Sequence, residues 1–153
     1  MIGLIVERLK DAHDLDGVLA IEQVSFNNPT TREWYEGELR REEVCFIYVI
    51  RTPTEPVAGF CAFWRVVEQM HINNLAIRPE LRGQGLGSHL LRSVIAEAAT
   101  MGADHATLEV RRSNIAALRL YERAGFHQAG VRRNYYTQPV EDAMVLVLER
   151  KRL

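Results

Sequence analysis

Cysteine is almost absent from this chain of 153 residues, which has only Cys45 and Cys61. Two isolated thiols make neither a disulfide framework nor a zinc or redox motif. Each sits in an apolar, strand-like run, so both are expected to be buried as small hydrophobes. The five histidines, at 13, 71, 89, 105 and 127, are scattered. None pairs with another histidine or a cysteine at ligand spacing, so no metal site is expected. No apolar run approaches the roughly 18 residues of a membrane span. The start, Met1 to Arg8, lacks the basic residues and long apolar stretch of a secretion signal. Ile2 leaves no myristoylation signal. The expected compartment is the cytoplasm, with no membrane partner. A basic excess is missing too: formal net charge is −1, which argues against a general nucleic-acid binder. Repeats, low-complexity tracts and long linkers are also lacking.

What is present fits one domain, 1–153. A chain of this length buries roughly 68–70% of its unfolded surface and needs no staple. Patterning suggests strand 4–9, helix 14–24, a break at Pro29 and Thr30, and helix 31–42. Strands 45–51, 57–66 and 70–77 follow, with Pro53 and Pro56 marking a turn. Beyond Pro79 the pattern changes. Leu86, Leu90, Leu91, Val94, Ile95 and Ala98 recur at helical spacing, and Gly102 supplies the C-terminal cap. Strand 105–110 comes next. Ser113 or Asn114 can cap a short helix through Arg123, closed by Gly125. Strands 128–133 and 143–149 complete the chain. Strands 70–77 and 105–110, joined by a crossover helix, should be parallel; the earlier strands, joined by short turns, should be antiparallel. The expected fold is α/β (α+β): a mixed, mostly antiparallel sheet of six or seven strands with helices on both faces.

The run Arg82-Gly83-Gln84-Gly85-Leu86-Gly87 lies between a strand and a helix. Backbone N–H groups converge at such a turn, and the helix dipole adds positive potential, so it is a ready anion site. Arg82 adds charge. The P-loop is excluded, because the last glycine is followed by Ser88 and no lysine is present. The dinucleotide fingerprint also fails, since it would require glycine at position 88. The loop alone leaves an ordinary strand-to-helix turn as the alternative.

The pattern Arg82-x-x-Gly85-x-Gly87 after a strand is similar to the coenzyme A motif of the GNAT acetyltransferases. Leu75-Ala76-Ile77-Arg78-Pro79 resembles the strand before that motif. Leu108 to Arg111, Ser113-Asn114-x-Ala116-Ala117 and Leu120 to Phe126 resemble its downstream half. With Arg132 to Tyr136 and Glu141-Asp142-Ala143, the resemblance narrows to the RimI family, over residues 72–148. It implies a pair of parallel strands that splay apart around acetyl-CoA as co-substrate. It also implies that Leu75, Ala76 and Ile77 pair with the pantetheine arm. Gly83, Gln84, Gly85, Leu86, Gly87 and Ser88, beside Arg82, would hold the pyrophosphate, and Asn114 would contact the coenzyme.

Acetyl transfer to an amine needs a proton acceptor, donors for the oxyanion and a proton donor for the departing thiolate. Strand alternation puts Glu109 with Thr107 and Arg111, opposite Ala106, Leu108 and Val110. It stands near the C-terminal end of a parallel strand, where open sheets bind ligands. The alternative is a solvated carboxylate paired with Arg111 or Arg112. Asn114, Leu118 and Tyr121 fall on one stripe of the short helix; Tyr121 could equally be a core aromatic. The resemblance assigns Glu109 as proton acceptor and Tyr121 as proton donor. No cysteine lies in this half, so direct transfer in a ternary complex is expected.

The RimI resemblance implies an acceptor at a protein N-terminus, the N-terminal alanine of a small-subunit ribosomal protein. The segment Arg132, Arg133, Asn134, Tyr135 and Tyr136, with Glu141-Asp142, is a candidate for the peptide groove. RimI-like sequences commonly have tryptophan directly after the proline between the first two helices; here Thr30 and Thr31 follow Pro29, and Trp34 comes later. A GNAT acting on lysine or a small amine, and a non-catalytic acyl-CoA-binding module, remain as alternatives.

Overall fold

The computed structural model describes residues 3–149. The Met1–Ile2 start and residues 150–153 of the expected domain lie outside the described residues. Among the described residues seven strands form one sheet: β1 (Ile5–Arg8), β2 (Cys45–Arg51), β3 (Gly59–Val66), β4 (Gln69–Ile77), β5 (His105–Arg111), β6 (His127–Tyr136) and β7 (Glu141–Glu149). Their spatial order is β1-β2-β3-β4-β5-β7-β6. Only β4 and β5 run parallel; the other neighbours are antiparallel. This is the mixed sheet expected, with its parallel pair around the crossover helix.

The four α-helices of the described residues divide between the two faces. On α1 (Ala12–Ser25), Leu15, Val18 and Ile21 recur at helical spacing. With Tyr35 of α2 (Arg32–Leu39) they pack on Ile47, Val49, Phe60 and Ala62. On the other face α3 (Leu86–Thr100) packs Leu90, Leu91, Val94 and Ala98 on Phe46, Tyr48, Cys61, Phe63 and Leu108. Tyr121 of α4 (Ile115–Arg123) joins that core. The unbroken apolar run of β2 is thereby shared between two cores by simple alternation. Both cysteines are buried and free.

Helix α2 is shorter than the 31–42 expected. Thr31 is its cap, accepting from Trp34 N at 3.2 Å. After Leu39 the sequence offers only charged side chains, and the chain turns through Val44 N→Arg41 O (3.0 Å) into β2. Strand β6 runs longer than 128–133, because its far end still pairs Tyr136 with Glu141.

Two irregularities shape the centre of the sheet. Between β3 and β4, Ala62 faces Asn74 while Phe63 faces Ile72, which leaves Asn73 as an extra, bulged residue. A bulge reverses the alternation beyond it. Met70 and Ile72 therefore enter the α3-side core, and so do Leu75 and Ile77, while Ala76 enters the α1 side. Second, β4 and β5 pair only from Gln69–His105 to Ile72–Leu108. Past that point the two strands part.

Candidate active site

A cavity of about 280 Å³ opens where β4 and β5 separate. It is lined from β4 by Asn73, Asn74 and Leu75, and from β5 by Glu109, Val110 and Arg111. Asn114, Ala117 and Tyr121 close the α4 side; Ser25 to Asn28, Thr30 and Tyr136 close the other. The cavity thus passes through the sheet. Glu109 belongs to the α1 face and Tyr121 to the α3 and α4 face, yet both reach the same space.

Glu109 does not pair with Arg111 or Arg112. Arg111 is held by Glu141 (3.1 Å) and by the carbonyls of Thr137 and Pro139, and Arg112 lies 3.9 Å from Asp142. The partner of Glu109 is His71, whose Nε2 stands 2.8 Å from Oε1. That bond holds the Glu109 carboxyl below its ordinary range and lifts the His71 imidazole above its own. Burial opposes both shifts, and Arg132 also favours the ionised carboxylate.

Tyr121 is 6% exposed, with its ring edge-on to Phe126 at 5.5 Å. Burial pushes its phenol upward, so the proton stays on. Asn114 caps α4, its side chain accepting from Ala117 N at 3.2 Å. Asn114 and Tyr121 share one wall as expected, but Ala117 lies between them in the cavity. Leu118 packs toward the core instead. On β4, backbone groups past Ile72 on the β5 side lose their strand partner. The edge through Leu75, Ala76 and Ile77 can therefore bond an extended ligand.

The glycine loop lies beyond the cavity's lining. Gly83 (φ +78°) and Gly85 (φ +84°) adopt left-handed backbone, and nothing stands within 4 Å of where a Cβ would be. These two glycines are required by conformation, and the space beside them is open. Gly87 instead sits in the first turn of α3, close to Leu120 and Ile77. No side chain caps α3, and its first turn has no acidic residue. The N–H groups that open this helix lack intrahelical partners, which suits a pyrophosphate. Arg82 turns inward: its guanidinium donates to Ile77 O (2.9 Å) and Ser25 Oγ (3.0 Å). It ties the loop to the ends of β4 and α1.

The segment between α1 and α2 is fixed from below. Glu22, fully buried, accepts from Thr30 N at 3.0 Å and from the Tyr35 hydroxyl and the Asn74 amide. Thr30 also receives a bond from Asn74 (3.2 Å). Above, Asn28 donates to Thr137 O at 3.0 Å, joining this segment to the β6–β7 hairpin. Thr30 lines the cavity, while Trp34 stacks edge-on against Tyr35 at 5.0 Å. Of the groove candidates only Tyr136 reaches the cavity, its phenol raised to about 12 by burial. Arg133, Asn134 and Tyr135 are exposed.

The family model for GNAT acetyltransferases matches residues 9–126. The chain belongs to the GNAT acetyltransferase family. A Bacillus subtilis (strain 168) protein, provisionally named as an alanine N-acetyltransferase of ribosomal protein bS18, is 39% identical over 133 residues, 87% of each chain. The bS18-alanine N-acetyltransferase of Salmonella typhimurium is 34% identical over 137 residues, 88% of this chain and 90% of that one. The crystal structure of the ribosomal-protein-S18-alanine N-acetyltransferase from Escherichia coli matches with a TM-score of 0.86 at 32% identity. That match covers 96% of this chain and 94% of the other.

In this GNAT chain, sequence reasoning brought Glu109, Tyr121, Asn114, Leu75 and Tyr136 to one cavity. It missed His71, Asn73, Asn74 and Glu22. A signal existed for the first two. In Met70-His71-Ile72-Asn73 the polar residues alternate with apolar ones, as Thr107, Glu109 and Arg111 do on the neighbouring strand. Glu22 is an acidic residue among Leu15, Val18 and Ile21, and its polar partners lie far away in sequence.

Proposed function

We propose that this chain moves the acetyl group of acetyl-CoA to the α-amine of a protein N-terminus. The proposed acceptor is the N-terminal alanine of ribosomal protein bS18, and transfer is direct, in a ternary complex. The observation that carries this reading is the cavity through the sheet, with a carboxylate on one face and a buried phenol on the other. The relatives' named activity supports the acceptor and does not favour lysine or small amines.

Acetyl-CoA supplies an activated thioester. Toward it, the α3 N-terminus and the backbone of Gly83 to Ser88 would hold the pyrophosphate. The edge of Leu75 to Ile77 would bond the pantetheine arm, with Asn114 beside it and the Leu75 N–H as oxyanion donor. Tyr121 would protonate the thiolate, and Glu109 would accept the amine's proton. An α-amine, with pKa about 7.7–8.0, loses its proton far more readily than a lysine at about 10.4. Neither cysteine lines the cavity, in keeping with direct transfer. Tyr136 would meet the first peptide residues, and Arg133, Asn134 and Tyr135 the residues further out. The working unit is proposed to be one domain, 1–153, in the cytoplasm.

Thiol release from acetyl-CoA tests this reading with three acceptors: a peptide of the bS18 N-terminus beginning with alanine, the same peptide N-terminally blocked but carrying lysine, and small amines. Turnover is expected with the free alanine peptide alone. Turnover of the blocked lysine peptide alone, or of no acceptor, would overturn it.

A further inference from the structure

Resting on Glu109 as the carboxylate that meets the amine, we propose that His71 is its positioning partner. His71 Nε2 receives, through Glu109, the proton that the amine gives up. The two residues stand on the parallel strands at the point where these part. His71 pairs with Thr107 across the ladder, and Glu109 lies just past the last pair, Ile72–Leu108. His71 Nε2 is 2.8 Å from Glu109 Oε1, and His71 Nδ1 is 2.8 Å from Asn73 Oδ1. An amide oxygen only accepts, so Nδ1 carries the hydrogen. A 2.8 Å contact between Nε2 and an ionised carboxylate needs a second hydrogen on the ring, so this geometry is that of the imidazolium. Once that proton has left to water, Nε2 is the ring's one basic position, and it faces the carboxylate. Asn73 is the bulged residue of β4, and its Nδ2 is buried without a partner. The amide's one side-chain bond is therefore spent on orienting this ring.

Proton affinity explains why a carboxylate needs such a partner. An α-amine titrates near 7.7–8.0 and a carboxylate near 4.3, a gap of over three units. Glu109, held lower still, would keep the amine's proton in fewer than about one encounter in 10³. An imidazole raised above its ordinary value is the closer match. The groups around it are Glu109 from β5, which raises it, and Arg132 from β6, which lowers it. The Trp64 ring from β3 covers it at 5.7 Å. The His71 side chain is 28% exposed and that of Glu109 11%, so His71 is the better placed to release a proton to water.

The balance closes. The nitrogen lone pair forms the bond to the acetyl carbon, and the carbon–sulfur bond breaks with its electrons on sulfur. An ammonium loses two protons over the reaction. One replaces the proton that Tyr121 gives the thiolate; the other passes by Glu109 to His71 Nε2 and then to solvent.

The test combines nitrogen NMR of the full chain with the pH profile of kcat. In the wild type, His71 is expected to hold its hydrogen on Nδ1 and to gain its second proton at Nε2 above pH 6.5. Glu109→Gln should move that titration downward. His71→Gln should leave CoA affinity and KM within about twofold, lower kcat by about 10- to 100-fold and remove the rising limb of the profile. Added imidazole should restore part of the activity lost in His71→Ala. A neutral ring carrying hydrogen on Nε2 would overturn the inference, as would His71→Gln with unchanged kcat and profile. Glu109→Gln with full activity would sink the reading of Glu109, while the NMR result would still report on His71 by itself.

Discussion

At the scale of single residues, the cavity sets a buried phenol on one face of the sheet and a carboxylate on the other. Tyr121 is buried, with its ring edge-on to Phe126, and burial keeps its phenol protonated, as the proposed donor to the thiolate requires. Tyr121→Phe removes the hydroxyl and preserves the ring packing. We expect kcat to fall by about 100-fold with CoA affinity within about twofold, measured by thiol release and by calorimetry. A loss of affinity with normal kcat would make Tyr121 a binding residue instead. Periodicity put Tyr121 on the side of Asn114 and Glu109 on the polar face of 105–111, but it left each with a structural alternative, and their expected roles came from the family resemblance. His71 was not legible, because its bond to Glu109 depends on the register between β4 and β5. The bonds that Arg82 makes were hidden for a related reason. Its charge was plain in the sequence, but Ile77 O and Ser25 Oγ are brought to it only by the fold.

At the scale of elements, α1 leads into the segment from Ser25 to Thr30 that lines the cavity, so what anchors α1 also positions the cavity. Asp14 accepts both arms of the Arg51 guanidinium, at 2.8 and 2.9 Å, joining α1 to β2. Hydrogen bonds from Arg51 hold Asp14 down at about 2, against an ordinary 3.8, and its side chain is 7% exposed. A folded-state value lowered this way gives stability that is present above pH 3.8 and lost as pH falls toward 2. Asp14→Asn should therefore destabilise the chain by about 2 kcal/mol at pH 7. The difference from wild type should shrink between pH 4 and pH 3 in urea titrations. A difference independent of pH would assign the loss to packing. Most elements could be read from the sequence: β2 was placed to the residue, and the glycines at 85, 102 and 125 fell at helix ends. The bulge at Asn73 could not, because an inserted residue looks like any other until its partner strand is known.

At the scale of the whole molecule, the sheet is held together on both sides of a gap that no strand fills. β3 fastens β4, and β7 fastens β5 along its full length. A ligand that bridges this gap binds the folded state alone and so must stabilise it. CoA at 100 times its Kd should add about 2.7 kcal/mol, raising Tm by about 5–10 °C for a chain of this size. With the coenzyme held at the glycine loop as proposed, that loop decides how much of the gain survives mutation. Gly85 has open space around it but a φ of +84°, so valine there is strained by backbone and not by contact. Gly85→Val should still fold, with CoA bound at least tenfold more weakly. At the same CoA concentration its stabilisation then drops to about 1.4 kcal/mol or less, half or less of the wild-type rise in Tm. Glu109→Gln, on the α1 face of the sheet where the amine is proposed to enter, should keep the full rise. A full rise in Gly85→Val would mean that the coenzyme is not held at the start of α3, and a lost rise in Glu109→Gln would mean that the two faces of the cavity are not separate in function.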